Sequence, residues 1–273
     1  MQQAQLHVLV VEDEVVNRDV VCQILQYFGH EVDAVDSGLA ALRAIRAVPY
    51  DVVVMDCRMH DMDGLETTRR LRAGEGGPDG VHIPIIALTA QAFAADRDAC
   101  LSVGMNDFLT KPVDIDHLAL ALTRWGRRPR QGAHAARGRE AVAADARARH
   151  GDAAVFDASV LAALPMVADG SQPHYGEVVL DLYFKSLPDL LKTIAVAVAG
   201  GDDQTVQRTA HSLKSSSAAV GAMAMAACAA EAESQLRKGY PDMSHLPSRF
   251  DMEYERLCTM LGRSQAHLPE SAV

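Results

Sequence analysis

The chain has 273 residues, a formal net charge of −10, 49% hydrophobic residues and 23% charged residues. This composition is typical of a globular protein with room for two modest domains. Its apolar runs are too short to span a membrane, and its N-terminus lacks the pattern of a secretory signal. The five cysteines are scattered without a C-x-x-C pair. This argues against a disulfide framework or a zinc site and favours a reducing, cytoplasmic location.

The charge is distributed unevenly along the chain. Residues 124–150 contain eight arginines against Glu140 and Asp145, whereas the segments on either side are acidic. Because acidic surfaces repel a phosphate backbone, we expect no direct DNA binding by the two acidic segments.

Short β-branched apolar runs alternate with helical patterns through the first half of the chain. This alternation predicts an α/β domain over residues 1–125, with five βα units in a parallel, doubly wound, flavodoxin-like sheet. The predicted strands are Leu6–Val11, Glu31–Val35, Asp51–Met55, Ile83–Leu88 and Asp107–Leu109, and the predicted helices cover 15–28, 38–47, 64–73, 93–103 and 114–125.

The pattern changes after Trp125. Residues 126–154 lack apolar periodicity and are rich in Arg, Ala and Gly, which predicts a basic linker. Over 155–265, apolar residues recur at three- and four-residue steps, which predicts an all-α bundle of four or five helices, followed by a tail over 266–273. Predicted helix starts are Asp157, Pro188 and Asp202, predicted stops are Gly200-Gly201 and Gly239, and a final helix is predicted near 248–261.

Acidic side chains follow two strands that should be neighbours in the sheet. Glu12 and Asp13 follow the first strand, and Asp56 follows the third. Carboxylates gathered at one edge repel one another unless a cation lies among them, and an oxygen-only cluster suits Mg²⁺. Thr89 and Lys111 follow the fourth and fifth strands. A hydroxyl and an ammonium beside a metal-bound carboxylate are suited to binding a transferred phosphoryl group.

These stretches resemble the receiver domain of bacterial response regulators and hybrid kinases. The matching segments are Val8-Leu-Val-Val-Glu-Asp-Glu, Val53-Val-Met-Asp56, Met62-Asp-Gly-Leu-Glu66, Ala87-Leu-Thr-Ala90 and Phe108-Leu-Thr-Lys-Pro112. The resemblance implies that Asp56 is the phosphoacceptor and that Thr89 and Lys111 bind phosphoryl oxygens. It also implies that Mg²⁺ is held by Asp13 and Asp56, by Glu12 through water, and by the backbone carbonyl of Arg58. One departure is His60, since the family usually has proline there.

His211 differs from the other histidines in its surroundings. On a helix, His211, Lys214 and Ser215 lie on one stripe, while the apolar residues Val206 and Leu213 turn the other way. We therefore expect the imidazole to face solvent, where a neutral ring is a nucleophile near physiological pH. Lys214, one turn away, could offset the charge of a phosphohistidine.

This stretch is similar to a histidine phosphotransfer (HPt) domain. The matching segments are Ala210-His-Ser-Leu-Lys214, Val155-Phe-Asp157 and Tyr183-Phe184 followed by Pro188-Asp-Leu-Leu191. In addition, Glu231–Arg237 matches the family's helix after the histidine. Ser215 stands where glycine is usual. The resemblance implies that His211 carries a phosphoryl group and exchanges it with a receiver.

Together the two resemblances imply a two-component phosphorelay protein. Asp56 would accept phosphate from a histidine kinase and exchange it with His211, which would pass it to a downstream response regulator. The sequence has no recognisable ATP site of a kinase, so a kinase must load it. Two alternatives stay open: the C-terminal part of a hybrid sensor kinase, and a receiver that acts as a non-catalytic scaffold or a phosphate sink.

Overall fold

The structure is a computed structural model that describes residues 5–89, 94–126, 154–238 and 243–263. The chain divides into two compact units. The sheet with its connecting helices and the C-terminal helices are described separately below. The predicted linker, Gly239 and the predicted tail lie wholly or almost wholly outside the described residues.

Five parallel strands form one sheet in the order β2-β1-β3-β4-β5. The strands are β1 (His7–Val11), β2 (Glu31–Val35), β3 (Val52–Asp56), β4 (Ile85–Thr89) and β5 (Asp107–Thr110). The order reverses at β1, so β1 and β3 are adjacent and their carboxyl ends flank the switch point, where ligands bind in doubly wound sheets. Strands β3 and β4 are buried along their whole length, as expected for strands covered on both faces.

Five helices connect or follow these strands. They are α1 (Val15–Tyr27), α2 (Gly38–Ala47), α3 (Gly64–Arg72), α4 (Ala94–Ser102) and α5 (Ile115–Trp125). Side chains cap several of them: Ser37 accepts a hydrogen bond at the start of α2, Asp63 at the start of α3 and Asp114 at the start of α5. The predicted α/β fold is confirmed, with strand and helix ends shifted by at most two residues.

Six helices are described after residue 154. Two are single turns, α6 (Ser159–Ala162) and α7 (Pro165–Ala168). The four longer ones are α8 (Tyr175–Gly200), α9 (Asp203–Val220), α10 (Met223–Arg237) and α11 (Leu246–Leu261). The predicted all-α region is therefore confirmed, including the final helix.

The boundary between α8 and α9 lies where the predicted stop at Gly200-Gly201 and the predicted start at Asp202 place it. α8 ends at Gly200, and Gly201 takes a left-handed conformation with φ of 67° that costs glycine little. Asp202 then caps α9 by accepting a hydrogen bond from the backbone N–H of Thr205 at 3.1 Å.

The predicted helix start at Pro188 is wrong, because Pro188 lies inside α8. The apolar stripe explains why the helix continues: Tyr183, Leu187 and Leu191, on both sides of the proline, are all buried. An internal proline costs a helix about 3 kcal/mol, and burial of a stripe of this length outweighs that cost.

None of the helices in the described parts of the chain is long and apolar enough to cross a membrane.

Candidate functional site

The predicted acidic residues meet at the carboxyl edge of the sheet. Glu12 and Asp13 directly follow β1, Asp56 ends β3, and one carboxylate oxygen from each lies within 4.8 Å of the others. Glu12 is 0% exposed and Asp56 2% exposed. Because like charges so close together and shielded from water repel strongly, the cluster fits a divalent cation with a preference for oxygen ligands.

The backbone around this cluster is held by two local features. Arg18 of α1 donates hydrogen bonds to the carbonyl oxygens of Glu12 (2.8 Å) and Asp13 (3.1 Å). Gly64, at the start of α3, lies so close to β3 that a Cβ added there would come within 2.1 Å of the carbonyl oxygen of Asp56. The glycine of the Met62–Glu66 segment is therefore needed for this close approach.

Lys111 forms an ion pair with Asp56. Its Nζ donates to Asp56 Oδ2 at 2.8 Å, and both side chains are buried. The backbone N–H of Lys111 also donates to the carbonyl oxygen of Thr89 at 2.7 Å, which ties the ends of β4 and β5 together. Thr89, the last residue of β4, is itself buried. The structure thus brings a hydroxyl, an ammonium and the carboxylates to one edge of the sheet.

The loop after β3 adds two further groups. Arg58, predicted to contribute its carbonyl oxygen, lies two residues beyond Asp56 and is exposed. His60 contacts Asp13 through two atoms: its backbone N–H lies 2.9 Å and its Nδ1 lies 2.8 Å from Asp13 Oδ2. The sequence marked His60 as a departure from the receiver pattern but did not indicate this contact.

His211 lies on α9, and the prediction that its ring faces solvent is wrong. Only 4% of His211 is exposed, and its Nδ1 lies 2.7 Å from Oε1 of Glu233 on α10. Its Nε2 is buried without a hydrogen-bond partner among the described residues. Because Glu233 holds one ring nitrogen, the other is the nitrogen that remains for chemistry.

Glu233 also binds Lys214, so one carboxylate joins the two predicted HPt residues. Lys214 Nζ donates to Glu233 Oε2. Burial raises the pKa of Glu233, but the hydrogen bonds from His211 and Lys214 and their charges outweigh it and hold this pKa at about 2. The carboxylate is therefore ionised at any physiological pH and favours the tautomer of His211 with its proton on Nδ1.

The sequence pattern did not single out Glu233. Its position within α10 was visible only as part of a segment matching the helix after His211. The signal that could have found it is an acidic residue on the buried face of α10. On this helix Glu233 follows the buried residues Ala229 and Ala232. Such a residue needs a buried cationic or donor partner.

Two family models match the chain. The response regulator receiver domain matches residues 8–123, and the Hpt domain matches residues 178–267.

Several known proteins are similar to the first part of the chain. The sensor histidine kinase GacS of Pseudomonas protegens is 42% identical over 118 residues, which are 43% of this chain and 13% of that protein. The two-component response regulator ORR41 of Oryza sativa subsp. japonica is 38% identical over 129 residues, which are 46% of this chain and 98% of that protein. The chain thus spans a small fraction of the kinase and nearly all of the regulator.

A solved structure is also similar. The receiver domain of the sensor histidine kinase PA1611 from Pseudomonas aeruginosa PAO1, described with a magnesium ion in its active site cleft, is 41% identical with a TM-score of 0.42. The match covers 45% of this chain and 98% of that one.

Proposed function

Because the chain belongs to the two-component phosphorelay proteins, with a response regulator receiver domain and an Hpt domain, we propose that it relays a phosphoryl group between Asp56 and His211. A histidine kinase supplies the group to Asp56, and a downstream response regulator receives it from His211. The observation that carries the proposal is the ion pair between Asp56 and Lys111 beside the carboxylates of Glu12 and Asp13. The proposed domain limits are 1–125 for the receiver and 155–265 for the HPt domain.

On the receiver side, a carboxylate oxygen of Asp56 attacks the phosphorus of the kinase phosphohistidine. An O–P bond forms, the N–P bond breaks and the imidazole leaves. Lys111 and Thr89 would bind the phosphoryl oxygens, whose negative charge persists throughout the transfer. Glu12, Asp13, Asp56 and the carbonyl oxygen of Arg58 would hold Mg²⁺, which when bound supplies positive charge to the same oxygens.

On the HPt side, Nε2 of His211 attacks the phosphorus of the acyl phosphate on Asp56. An N–P bond forms, the acyl O–P bond breaks and the carboxylate of Asp56 leaves. Glu233 keeps the proton on Nδ1, so the lone pair of the neutral ring lies on Nε2. Lys214, bound to the same carboxylate, offsets negative charge near the ring. Since His211 is buried in the described structure, transfer requires that Nε2 become accessible to the phosphate, and labelling of this residue tests that requirement directly.

The source of the phosphate has two candidates. The chain spans 13% of the length of the GacS relative, a sensor histidine kinase. A kinase in the same polypeptide as this segment, as in a hybrid sensor kinase, is therefore a second candidate beside a separate kinase. The sequence of the complete reading frame distinguishes these two candidates.

The test is a phosphate chase with a ³²P-labelled cognate kinase. We expect Asp56→Asn to abolish labelling of the chain, and His211→Gln to leave label on Asp56 while blocking transfer to a downstream receiver. The matched controls are Asp98→Asn, an exposed carboxylate on α4, and His174→Gln, an exposed histidine before α8. Both controls should label and transfer as the wild type does.

Two outcomes would contradict the relay. Undiminished labelling of the Asp56 variant would show that the phosphoacceptor is another residue. Label that stays on Asp56 of the wild type and never reaches His211 would favour the scaffold or sink interpretation.

A further inference from the structure

His60 makes two contacts with one oxygen of a proposed metal ligand. Its backbone N–H and its Nδ1 lie 2.9 and 2.8 Å from Asp13 Oδ2. The His60 side chain is 57% exposed, whereas that of Asp13 is only 11% exposed. The imidazole therefore lies largely in solvent, with its Nδ1 directed at Asp13.

Proline, the residue that receiver domains usually have at this position, could make neither contact. Proline has no backbone N–H to donate and no polar side-chain atom. The backbone contact with Asp13 is thus possible because position 60 is not proline, and the Nδ1 contact because it is histidine. The Nδ1 contact needs only a proton on Nδ1, which a neutral imidazole supplies in one of its tautomers.

We propose that His60 is a positioning residue for the magnesium site. With two donors on Oδ2, the carboxylate of Asp13 is held against rotation, and Oδ1 would be left to bind the cation. Groups that orient a ligand carboxylate in this way commonly change metal affinity by about 10- to 100-fold. This inference rests on the proposed function, since it assumes that Asp13 is a magnesium ligand.

Three substitutions separate the two contacts. His60→Ala removes the ring and keeps the backbone N–H, so Mg²⁺ affinity should fall about threefold. His60→Pro removes both donors, so affinity should fall about tenfold. His60→Asn places an amide donor close to the position of Nδ1 and should restore affinity to within twofold of the wild type.

The measurement is calorimetric titration of the full chain with MgCl₂, without any phosphate donor. Asp13→Asn serves as the reference for loss of the site, and His117→Ala, an exposed histidine on α5 paired with Asp114, serves as the matched control. Urea unfolding of each variant shows whether the sheet remains folded. If the proline variant unfolds, the alanine and asparagine variants decide the question.

The titrations distinguish failure of the proposed metal site from failure of the role proposed for His60. If Asp13→Asn binds Mg²⁺ as the wild type does, the proposed metal site is wrong. If Asp13→Asn loses binding but the alanine and proline variants bind with unchanged or higher affinity, the metal site stands and the positioning role of His60 is wrong.

Discussion

Replacing Glu233 by glutamine tests the buried network around His211. The substitution keeps the size of the side chain and removes its charge. The pKa of Glu233 is held at about 2 against an ordinary value of 4.5, and such a difference corresponds to about 3 kcal/mol of stability. Since the folded pKa is lowered, this contribution is present above pH 4.5 and is lost as the pH falls towards 2.

At pH 7 we therefore expect Glu233→Gln to destabilise the helical region by up to about 3 kcal/mol. We also expect slower phosphorylation of His211, because a glutamine can offer its single acceptor oxygen to His211 or to Lys214 but not equally to both. A charge-assisted hydrogen bond contributes about 1.5–3 kcal/mol, so the rate should fall about 10- to 100-fold.

Two assays measure these effects in the full chain. Hydrogen exchange of peptides from α9 gives the opening free energy of the helix that carries His211, at pH 7 and at pH 3. A ³²P chase from a labelled receiver gives the transfer rate. Glu231→Gln is the matched control, because it removes the same charge from the same helix at a half-exposed side chain paired with Arg249.

A Glu233→Gln variant that transfers phosphate within twofold of the wild type would contradict a role for Glu233 in orienting His211. Equal destabilisation of α9 in the wild type and in the variant on acidification from pH 7 to pH 3 would contradict a stabilising role for the Glu233 carboxylate.

Two further predictions concern the receiver. Lys111→Met removes the ammonium that donates to the buried carboxylate of Asp56, so labelling of Asp56 by acetyl phosphate should fall at least about tenfold. Lys185→Met, at an exposed lysine on α8, is the control, and equal labelling of the two variants would contradict a role for Lys111. Gly64→Ala places a methyl group against the carbonyl oxygen of Asp56 and should lower the urea stability of the sheet by about 1–3 kcal/mol. Gly200→Ala, where a Cβ meets no atom within 4 Å, is the control, and equal stability of the two variants would contradict the clash.

The sheet and its site could be predicted from the sequence because both depend on regularities of the backbone. Parallel strands of alternating βα units end at one edge, so residues such as Asp13, Asp56 and Lys111 are brought together by the topology itself. No detail of side-chain packing is needed to place them. This is why strand ends were predicted within two residues and the residues at those ends lie close together.

The surroundings of His211 could not be predicted in the same way. Helical periodicity assigns a residue to a face of its own helix, but it does not tell which neighbouring helix covers that face. Here Glu233 of α10 binds the ring, which the periodicity of α9 placed towards solvent. The continuation of α8 through Pro188 has a similar cause, since burial of Leu187 and Leu191 outweighs a local preference that the sequence does show.

The two proposed phosphate-accepting sites differ in the formal charge of their side chains. At the receiver site, the carboxylates of Glu12, Asp13 and Asp56 and the ammonium of Lys111 together carry a formal charge of −2, which one divalent cation balances. At the HPt site, the charges of Glu233 and Lys214 offset each other beside His211. The first arrangement favours a cation before the phosphate arrives, whereas the second needs none. The exchange between the two sites should therefore depend on Mg²⁺ only through Asp56 and its neighbours.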